Sequence, residues 1–171
     1  MKSLLWAFVG SLLLTCAVGV QAQTAAHADI VDSKGRKIGS ARLEQTSNGV
    51  RITLTASQLP PGIHGFHIHA VGKCDAPDFK TAGPHFNPDN KKHGSKNPEG
   101  PHAGDLGNIE VATDGTVHAT ALAPNVTIAE GPHSLFHADG TALVIHAQAD
   151  DLMTDPSGNS GARIACGVIQ K

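Results

Sequence analysis

Apolar and polar residues alternate in short runs along most of the chain after about residue 25. The alternation is clean over residues 50–55, so Val50, Ile52 and Leu54 are expected to share the buried face of one strand. Turn signals such as Asn48-Gly49 separate the runs. The predicted strands cover residues 27–31, 37–44, 50–55, 63–70, 106–112, 117–122, 142–145 and 163–169. Eight short strands without a long helix or an internal repeat favour an all-β sandwich or a Greek-key barrel.

Two long polar segments interrupt this pattern, at residues 72–103 and 147–161. Within and just beyond the first, residues 83–105 are almost free of apolar side chains and carry four potential metal ligands, which are His85, His93, His102 and Asp105. A structureless loop of this length is usually either functional or disordered. Three imidazoles and one carboxylate are a suitable ligand set for tetrahedral zinc, so a zinc site is the functional alternative to disorder.

The N-terminal segment has the organisation of a secretory signal peptide. Lys2 precedes an apolar run, and the small residues that follow predict cleavage after Ala22. Two alternatives stay open: a membrane anchor, for which the run is slightly short, and a lipoprotein attached through Cys16. We therefore expect residues 1–22 to be a signal peptide. Residues 23–171 are expected to form one domain with no membrane span.

Removal of this segment changes what the composition implies. The full chain of 171 residues has three Cys, eleven His and a formal charge of −2. Without Lys2, 12 Lys and Arg face 15 Asp and Glu, which gives a formal charge of −3. An acidic chain without a basic patch argues against nucleic-acid binding. Without Cys16, the remaining pair, Cys74 and Cys166, predicts a disulfide in an exported protein.

Isolated histidines mark two of the predicted strands. His67 and His69 are two positions apart, so their side chains project from the same face of the strand. The alternative is a pair of solvent-exposed surface histidines. His146 ends the most apolar strand, where a polar group requires a partner. Asp150 follows it closely, and a carboxylate beside a metal-bound histidine commonly fixes its tautomer.

The strands and the loop together offer seven candidate ligands, more than one zinc ion requires. Imidazole suits copper, and four imidazoles near one plane suit Cu(II). Three histidines and one aspartate suit zinc. Seven ligands for eight coordination positions require one shared ligand, and an imidazole can bind two metals through its two ring nitrogens. The residue types therefore predict two metals.

Six motifs occur along the chain in a characteristic order. They are GFHIH (65–69), GPHFNP (83–88), KKHG (91–94), PHAGDLGN (101–108), VIHAQADD (144–151) and GARIACGVI (161–169). With these motifs the sequence resembles the copper/zinc superoxide dismutases of the exported bacterial kind, over essentially the whole mature chain. The resemblance implies an eight-stranded Greek-key β-sandwich or barrel, immunoglobulin-like, with two long functional loops. It also implies a periplasmic location.

The resemblance implies a role for each matching residue. Copper would be bound by His67, His69, His85 and His146, and zinc by His85, His93, His102 and Asp105. His85 would bridge the metals and supply a proton. Asp150 would accept hydrogen bonds from one ligand of each metal, and Arg163 would attract the anion. The disulfide between Cys74 and Cys166 would tie the long loop to the last strand.

The implied activity is the dismutation of superoxide to oxygen and hydrogen peroxide. A redox-cycling copper beside a structural zinc, one of each per chain, would carry it out and protect against extracytoplasmic superoxide. The substrate is the superoxide anion, and relatives include both monomers and homodimers. Two other functions are considered: a copper-holding or copper-delivery protein without fast turnover, and a zinc-stabilised interaction scaffold.

Substrate steering requires positive charge on an acidic protein. In cytosolic relatives the loop before the final arginine is longer and carries steering lysine and glutamate, whereas residues 153–160 contain no lysine. We expect Lys73 or Lys80 to take this role, with Lys91 and Lys92 as further candidates.

The remaining histidines are given simpler interpretations. His64 and His133 are expected to be hydrogen-bonded structural groups, and His27, His118 and His137 are expected to be exposed.

Overall fold

Eight antiparallel strands form one sheet that curves around the hydrophobic core. The computed structural model describes residues 25–171. The strands are β1 (Ala25–Asp32), β2 (Lys37–Thr46), β3 (Gly49–Ala56), β4 (Gly62–His69), β5 (Asp105–Val111), β6 (Val117–Ala123), β7 (Ala142–His146) and β8 (Arg163–Gln170). Each lies within two residues of a predicted strand. The one helical turn among these residues is a short 3-10 turn, Lys80–Ala82.

The strand order is β5-β4-β7-β8-β1-β2-β3-β6, and every neighbouring pair is antiparallel. The two edge strands, β5 and β6, pack against each other, so the sheet is a nearly closed barrel. The chain passes from β3 to the distant β4 before it returns from β5 to β6 beside β3. The predicted all-β fold class is confirmed.

The alternating residues of β3 show how the pattern builds the core. Val50, Ile52 and Leu54 are fully buried, while Arg51 and Thr55 are exposed. The same period of two applies to residues 26–30 of β1, whose apolar side chains also point inward. Because successive side chains of a strand point to opposite faces, the other face of these strands contacts solvent.

Strand β7 differs because both of its faces are buried. Leu143 and Ile145 belong to the main core inside the barrel. Ala142 and Val144 face outward and pack in a second cluster, together with Phe79, Ala82 and Cys166. Phe79 and Ala82 belong to the connection between β4 and β5, so this connection covers β7 from outside. A disulfide between Cys74 and Cys166 joins the same connection to β8.

The two long connections lie against each other. We call residues 70–104 the first loop and residues 147–162 the second loop. The backbone N–H of Lys96 donates to the carbonyl of Leu152 over 2.9 Å, and that of His93 donates to Asp155 Oδ1 over 2.8 Å. An isolated bridge also pairs His85 with His69 at the end of β4. The stretch 83–105 thus follows an ordered, hydrogen-bonded path beside β4 and β7.

The predicted signal peptide, residues 1–22, and Cys16 lie outside the described residues. Between residues 25 and 171, no helix is long and apolar enough to span a membrane.

Candidate metal centre

A first cluster of four buried histidines lies on the outer face of β4 and β7. His67 and His69 come from β4, His146 from the end of β7 and His85 from the first loop, and one ring nitrogen of each can reach a common centre. The ring centroid of His85 lies 4.0 Å from that of His67 and 4.9 Å from that of His69. The alternative of solvent-exposed histidines at positions 67 and 69 is wrong, because the first loop covers them and they are 0% and 1% exposed.

Backbone carbonyls orient two of these rings. His69 Nδ1 donates to the carbonyl of Gly83 over 2.8 Å, and His146 Nδ1 donates to that of Gly161 over 3.2 Å. The Nε2 atoms of His69 and His146 are thereby turned toward each other, 3.3 Å apart. Because a hydrogen-bonded Nδ1–H fixes the tautomer, each Nε2 keeps the lone pair that a metal requires.

A second cluster is built around Asp105 at the start of β5. Its Oδ1 lies 2.9 Å from His85 Nδ1, 3.0 Å from His93 Nδ1 and 3.3 Å from His102 Nδ1. Ligand atoms that surround zinc tetrahedrally at about 2.0–2.1 Å are about 3.3 Å from one another. The three nitrogens and the oxygen therefore have the spacing of a tetrahedral zinc site.

The unpaired ring nitrogens of the clusters are a second indication of metal binding. His67 Nδ1, His85 Nε2 and His102 Nδ1 are buried and have no hydrogen-bond partner among the described residues. A buried polar atom without a partner costs about 1–3 kcal/mol, which makes three of them in one place unfavourable. All three belong to the two clusters, so coordination to a metal would satisfy each of them.

His85 belongs to both clusters. Its Nδ1 faces Asp105 in the second cluster, while its unpaired Nε2 is turned toward the first. A single imidazole thus lies between the two groups of ligands. The structure brings together all seven candidate ligands that the sequence offered, in two groups that share this ring.

Asp150, in the second loop, joins the clusters a second time. His67 Nε2 donates to its Oδ2 over 2.7 Å, and His93 Nε2 donates to its Oδ1 over 3.0 Å. Asn108 of β5 holds the backbone of Asp150 from both sides: its Oδ1 accepts from the N–H over 2.7 Å, and its Nδ2 donates to the carbonyl over 2.9 Å. Asn108 ends the motif PHAGDLGN (101–108), but no pattern in the sequence predicts this role for it.

Burial lowers the pKa values of the histidines in the first cluster and so determines their protonation state. It lowers the pKa of His69 to about 2, of His146 to about 3 and of His85 to about 4, and the neighbouring imidazoles add to the effect. These rings are neutral at neutral pH. Since a histidine binds metal only as the neutral ring or its anion, they are ready to coordinate without first losing a proton to water.

The carboxylates of Asp105 and Asp150 raise the pKa of a neighbouring histidine, whereas burial lowers it. Burial lowers the pKa of His93, but the hydrogen bonds to Asp105 and Asp150 outweigh it and raise the pKa to about 9. Burial also raises the pKa of each carboxylate, yet hydrogen bonds from the surrounding histidines keep both pKa values well below the usual range. Asp105 and Asp150 are therefore ionised and carry the negative charge of the centre.

Arg163, the first residue of β8, lies beside the first cluster. Its Nη1 donates to the carbonyl of Phe79 and its Nη2 to that of Gly83, both over 2.6 Å. Its positive charge contributes to the lowered pKa of His69 and of His146. The first loop thus holds the guanidinium in place with two carbonyls, and the disulfide at Cys166 ties that loop to the same strand.

The predicted environments of the other five histidines are confirmed for four of them and wrong for one. The ring nitrogens of His64 lie 2.8 Å from two backbone carbonyl oxygens, and His133 Nε2 lies 2.9 Å from Asp89 Oδ1, as expected of structural groups. His27 and His118 are exposed, as predicted. The expectation for His137 is wrong, because it is half-buried and stacks on Phe86 with the ring centroids 5.3 Å apart.

The barrel carries two clusters of metal ligands that share one histidine. This arrangement defines the class of protein: a β-barrel metalloprotein with a two-metal centre. The family model described as copper/zinc superoxide dismutase (SODC) matches residues 37–169. The chain belongs to the copper/zinc superoxide dismutase family. It is therefore an enzyme of this class, and its cofactors are copper and zinc.

Individual relatives agree with this assignment. Cu-Zn superoxide dismutase 1 of Aquifex aeolicus (strain VF5) is 53% identical over 96% of this chain and 98% of its own. Cu-Zn superoxide dismutase 2 of the same organism is 51% identical over 99% of this chain and its own full length. The crystal structure of a SOD-like protein from Bacillus subtilis is 45% identical with a TM-score of 0.80, and the match covers 82% of this chain and 95% of that one.

Proposed function

We propose that the first cluster binds the redox-active copper and the second binds the structural zinc of a superoxide dismutase. The observation that carries this proposal is the position of His85, whose two ring nitrogens are turned toward different clusters. Four imidazoles are a ligand set that copper favours, whereas three imidazoles with one carboxylate suit tetrahedral zinc. Bound copper would supply one-electron redox chemistry, so that one superoxide loses an electron to become oxygen and another gains one.

The residues around the first cluster would handle the anion and its protons. The fixed guanidinium of Arg163 attracts superoxide and holds it beside the cluster. Reduction of the second superoxide to hydrogen peroxide requires two protons. With Nδ1 bound to the metal of the second cluster, the neutral His85 ring carries its one proton on Nε2, so His85 is suited to supply one of the two protons toward the first cluster. Water supplies the other and restores the ring proton.

Metal stoichiometry measured together with superoxide consumption tests this function. The purified mature protein is loaded with copper and zinc, and both metals are quantified. We expect one copper and one zinc per chain and rapid consumption of superoxide. Two bound metals without turnover would indicate a copper-holding protein, and zinc alone would indicate a scaffold. Either result would contradict the proposal.

Zinc binding to the metal-free protein is expected to release about one proton from His93 at pH 7. Its pKa, raised to about 9, keeps the ring protonated, and a metal displaces that proton. Because the folded-state pKa exceeds the unfolded value, this proton stabilises the metal-free fold fully below about pH 6.5, and the contribution is lost as the pH rises through about 9. Calorimetry in buffers of different ionisation enthalpy measures the release. An uptake of zinc at pH 7 that releases no proton would contradict it.

Lys80 is the lysine that we propose to steer the substrate. It directly follows Phe79, whose carbonyl holds Arg163, and its side chain is 83% exposed. Asp78 lies 2.9 Å from its ammonium group, but an exposed ion pair of this kind is weak. Lys92 is likewise paired, with Asp155 over 3.3 Å, but it lies beside the second cluster, where the N–H of His93 donates to the same carboxylate.

Reversing the charge in Lys80→Glu is expected to lower kcat/KM several-fold and to flatten its dependence on ionic strength, because steering by surface charge is screened by salt. Stopped-flow measurement at a series of salt concentrations provides both values. Lys171→Glu is the matched control: it makes the same change in net charge at the opposite end of β8 from Arg163. Equal effects of the two substitutions would show that only net charge matters.

We also propose that residues 1–22 are a signal peptide, that residues 23–171 form one periplasmic domain, and that the enzyme removes extracytoplasmic superoxide. The disulfide supports export, since such bonds persist in oxidising compartments. The mass of the protein isolated from its cell tests the cleavage after Ala22. A diacylated N-terminal cysteine at Cys16 would instead establish the lipoprotein alternative.

A further inference from the structure

Gly158 lies directly beside the carboxylate of Asp150, which joins the two clusters. Gly158 is a buried residue of the second loop with a φ of +64°. A Cβ at this position would lie 2.6 Å from Asp150 Cγ and 2.7 Å from His93 Nε2, and it would overlap Asp150 Oδ1. No real Cβ tolerates such distances, so a side chain at position 158 cannot coexist with the present position of the Asp150 carboxylate.

Hydrogen bonds prevent either side from moving away easily. The backbone of Asp150 is fixed, because Asn108 holds it through two hydrogen bonds. The glycine is fixed as well: its N–H donates to the carbonyl of Thr154 over 2.6 Å, and its own carbonyl accepts from the N–H of Asp151 over 2.9 Å. Because both backbones are held, a larger residue at position 158 would turn the Asp150 carboxylate away about its own side-chain bonds rather than move the second loop.

We propose that Gly158 is a positioning residue for the metal centre, because its missing side chain leaves the space in which Asp150 bridges His67 and His93. The proposal rests on the assignment of His67 to copper and His93 to zinc. Both bridging hydrogen bonds involve one carboxylate, so displacing it releases a ligand of each metal at once. Gly158 acts mainly through Asp150, although it also approaches His93 Nε2, and it touches neither substrate nor metal.

The expected effect of Gly158→Ala is a loss of zinc affinity of about 10- to 100-fold, the range found when a partner of a metal-bound histidine is removed. The spectrum of bound Cu(II) should change as well, because His67 loses the hydrogen bond that fixes its tautomer. Competition with a chelator measures the zinc affinity, and electron paramagnetic resonance reports the copper environment. Neither measurement depends on turnover.

Gly35→Ala is the matched control. Gly35 has a φ of +73°, close to that of Gly158, but a Cβ there would meet nothing within 4 Å. This variant carries the same backbone strain without the displaced carboxylate, so its zinc affinity and copper spectrum should match those of the unchanged protein. If Gly158→Ala retains zinc as well as Gly35→Ala does, the proposal is overturned.

A double-mutant cycle with Asp150→Ala keeps the test decisive if Gly158→Ala alone folds poorly. In the Asp150→Ala background the overlapping carboxylate is gone and only the approach to His93 Nε2 remains, so adding Gly158→Ala should reduce zinc affinity by a much smaller factor than it does in the parent protein. An equally large loss of zinc affinity in both backgrounds would show that Gly158 does not act through Asp150. The metal content of the unchanged protein distinguishes a failure of the role proposed for Gly158 from a failure of the proposed function. If the unchanged enzyme does not bind one copper and one zinc, the metal assignment fails; if it does and the cycle is additive, only the role of Gly158 fails.

Discussion

Replacing Arg163 with glutamate is expected to lower kcat/KM for superoxide by about 100-fold or more. The chain has a formal charge of −2, so the substrate is repelled at long range unless a local positive group attracts it. Steering by local charge changes association rates by about 10- to 1,000-fold, and the substitution replaces attraction with repulsion beside the first cluster. Rising ionic strength should increase the rate of the variant, whereas it should slow the unchanged enzyme. Stopped-flow kinetics measure both effects.

Arg163→Lys distinguishes charge from geometry. A lysine keeps the positive charge but cannot donate to the carbonyls of Phe79 and Gly83 with the same rigid fork, so an intermediate loss of about 10-fold is expected. Copper and zinc contents should stay at one per chain in both variants, because Arg163 is not a ligand. If Arg163→Glu retained full kcat/KM with both metals bound, the guanidinium would have no part in attracting the anion.

Asp105→Ala is expected to remove zinc from the protein and to disorder residues 83–105. Its Oδ1 faces the three imidazoles of the second cluster, and its Oδ2 accepts hydrogen bonds from the backbone N–H groups of Gly94 over 2.8 Å and His102 over 2.9 Å. The substitution thus removes a ligand and two loop-ordering hydrogen bonds together. Loss of a direct ligand should exceed the roughly 10- to 100-fold loss found for outer partners, so zinc affinity should fall by more than about 100-fold.

The copper site should be affected although none of its ligands is replaced. His85 reaches the first cluster from the loop that Asp105 orders, so copper selectivity should fall when that loop moves. Hydrogen exchange over residues 83–105 and competition between copper and zinc for the first cluster provide the measurements. Asp89→Ala is the control, since it removes a partly exposed carboxylate of the same loop that contacts His133 and no cluster residue. An Asp105→Ala protein with an ordered loop and unchanged copper selectivity would contradict the expectation.

The strands could be predicted from the sequence because their side-chain period is visible there. Val50, Ile52 and Leu54 point inward because each second residue of a strand faces the core. The metal ligands could be found because histidine is rare on an otherwise apolar strand and because the motifs carry them in order. Burial of His67 and His69 was not predictable from their spacing, which fits a solvated face equally well; the covering loop decides it.

The contacts that hold Arg163 and Asp150 in place could not be predicted. They join segments that are far apart in the chain, and such contacts leave no pattern in the sequence. The carbonyls of Phe79 and Gly83 hold Arg163, but every residue has a carbonyl and nothing in the sequence distinguishes these two. The same applies to Gly158, which reads as an ordinary turn glycine until its distance to Asp150 is known. Asn108 lies in a recognisable motif, yet its partner is 42 residues away.

The uneven distribution of apolar side chains divides the molecule into two layers of different stability. The barrel interior holds the main hydrophobic cluster, whereas residues 83–105 contribute little to it and depend on hydrogen bonds and ligand contacts. Segments with few buried apolar contacts open at lower free energy than the core. Without metals, residues 83–105 are expected to open while the barrel stays folded. Metal ions can then reach the two clusters through the opened segment. Their binding orders residues 83–105 again.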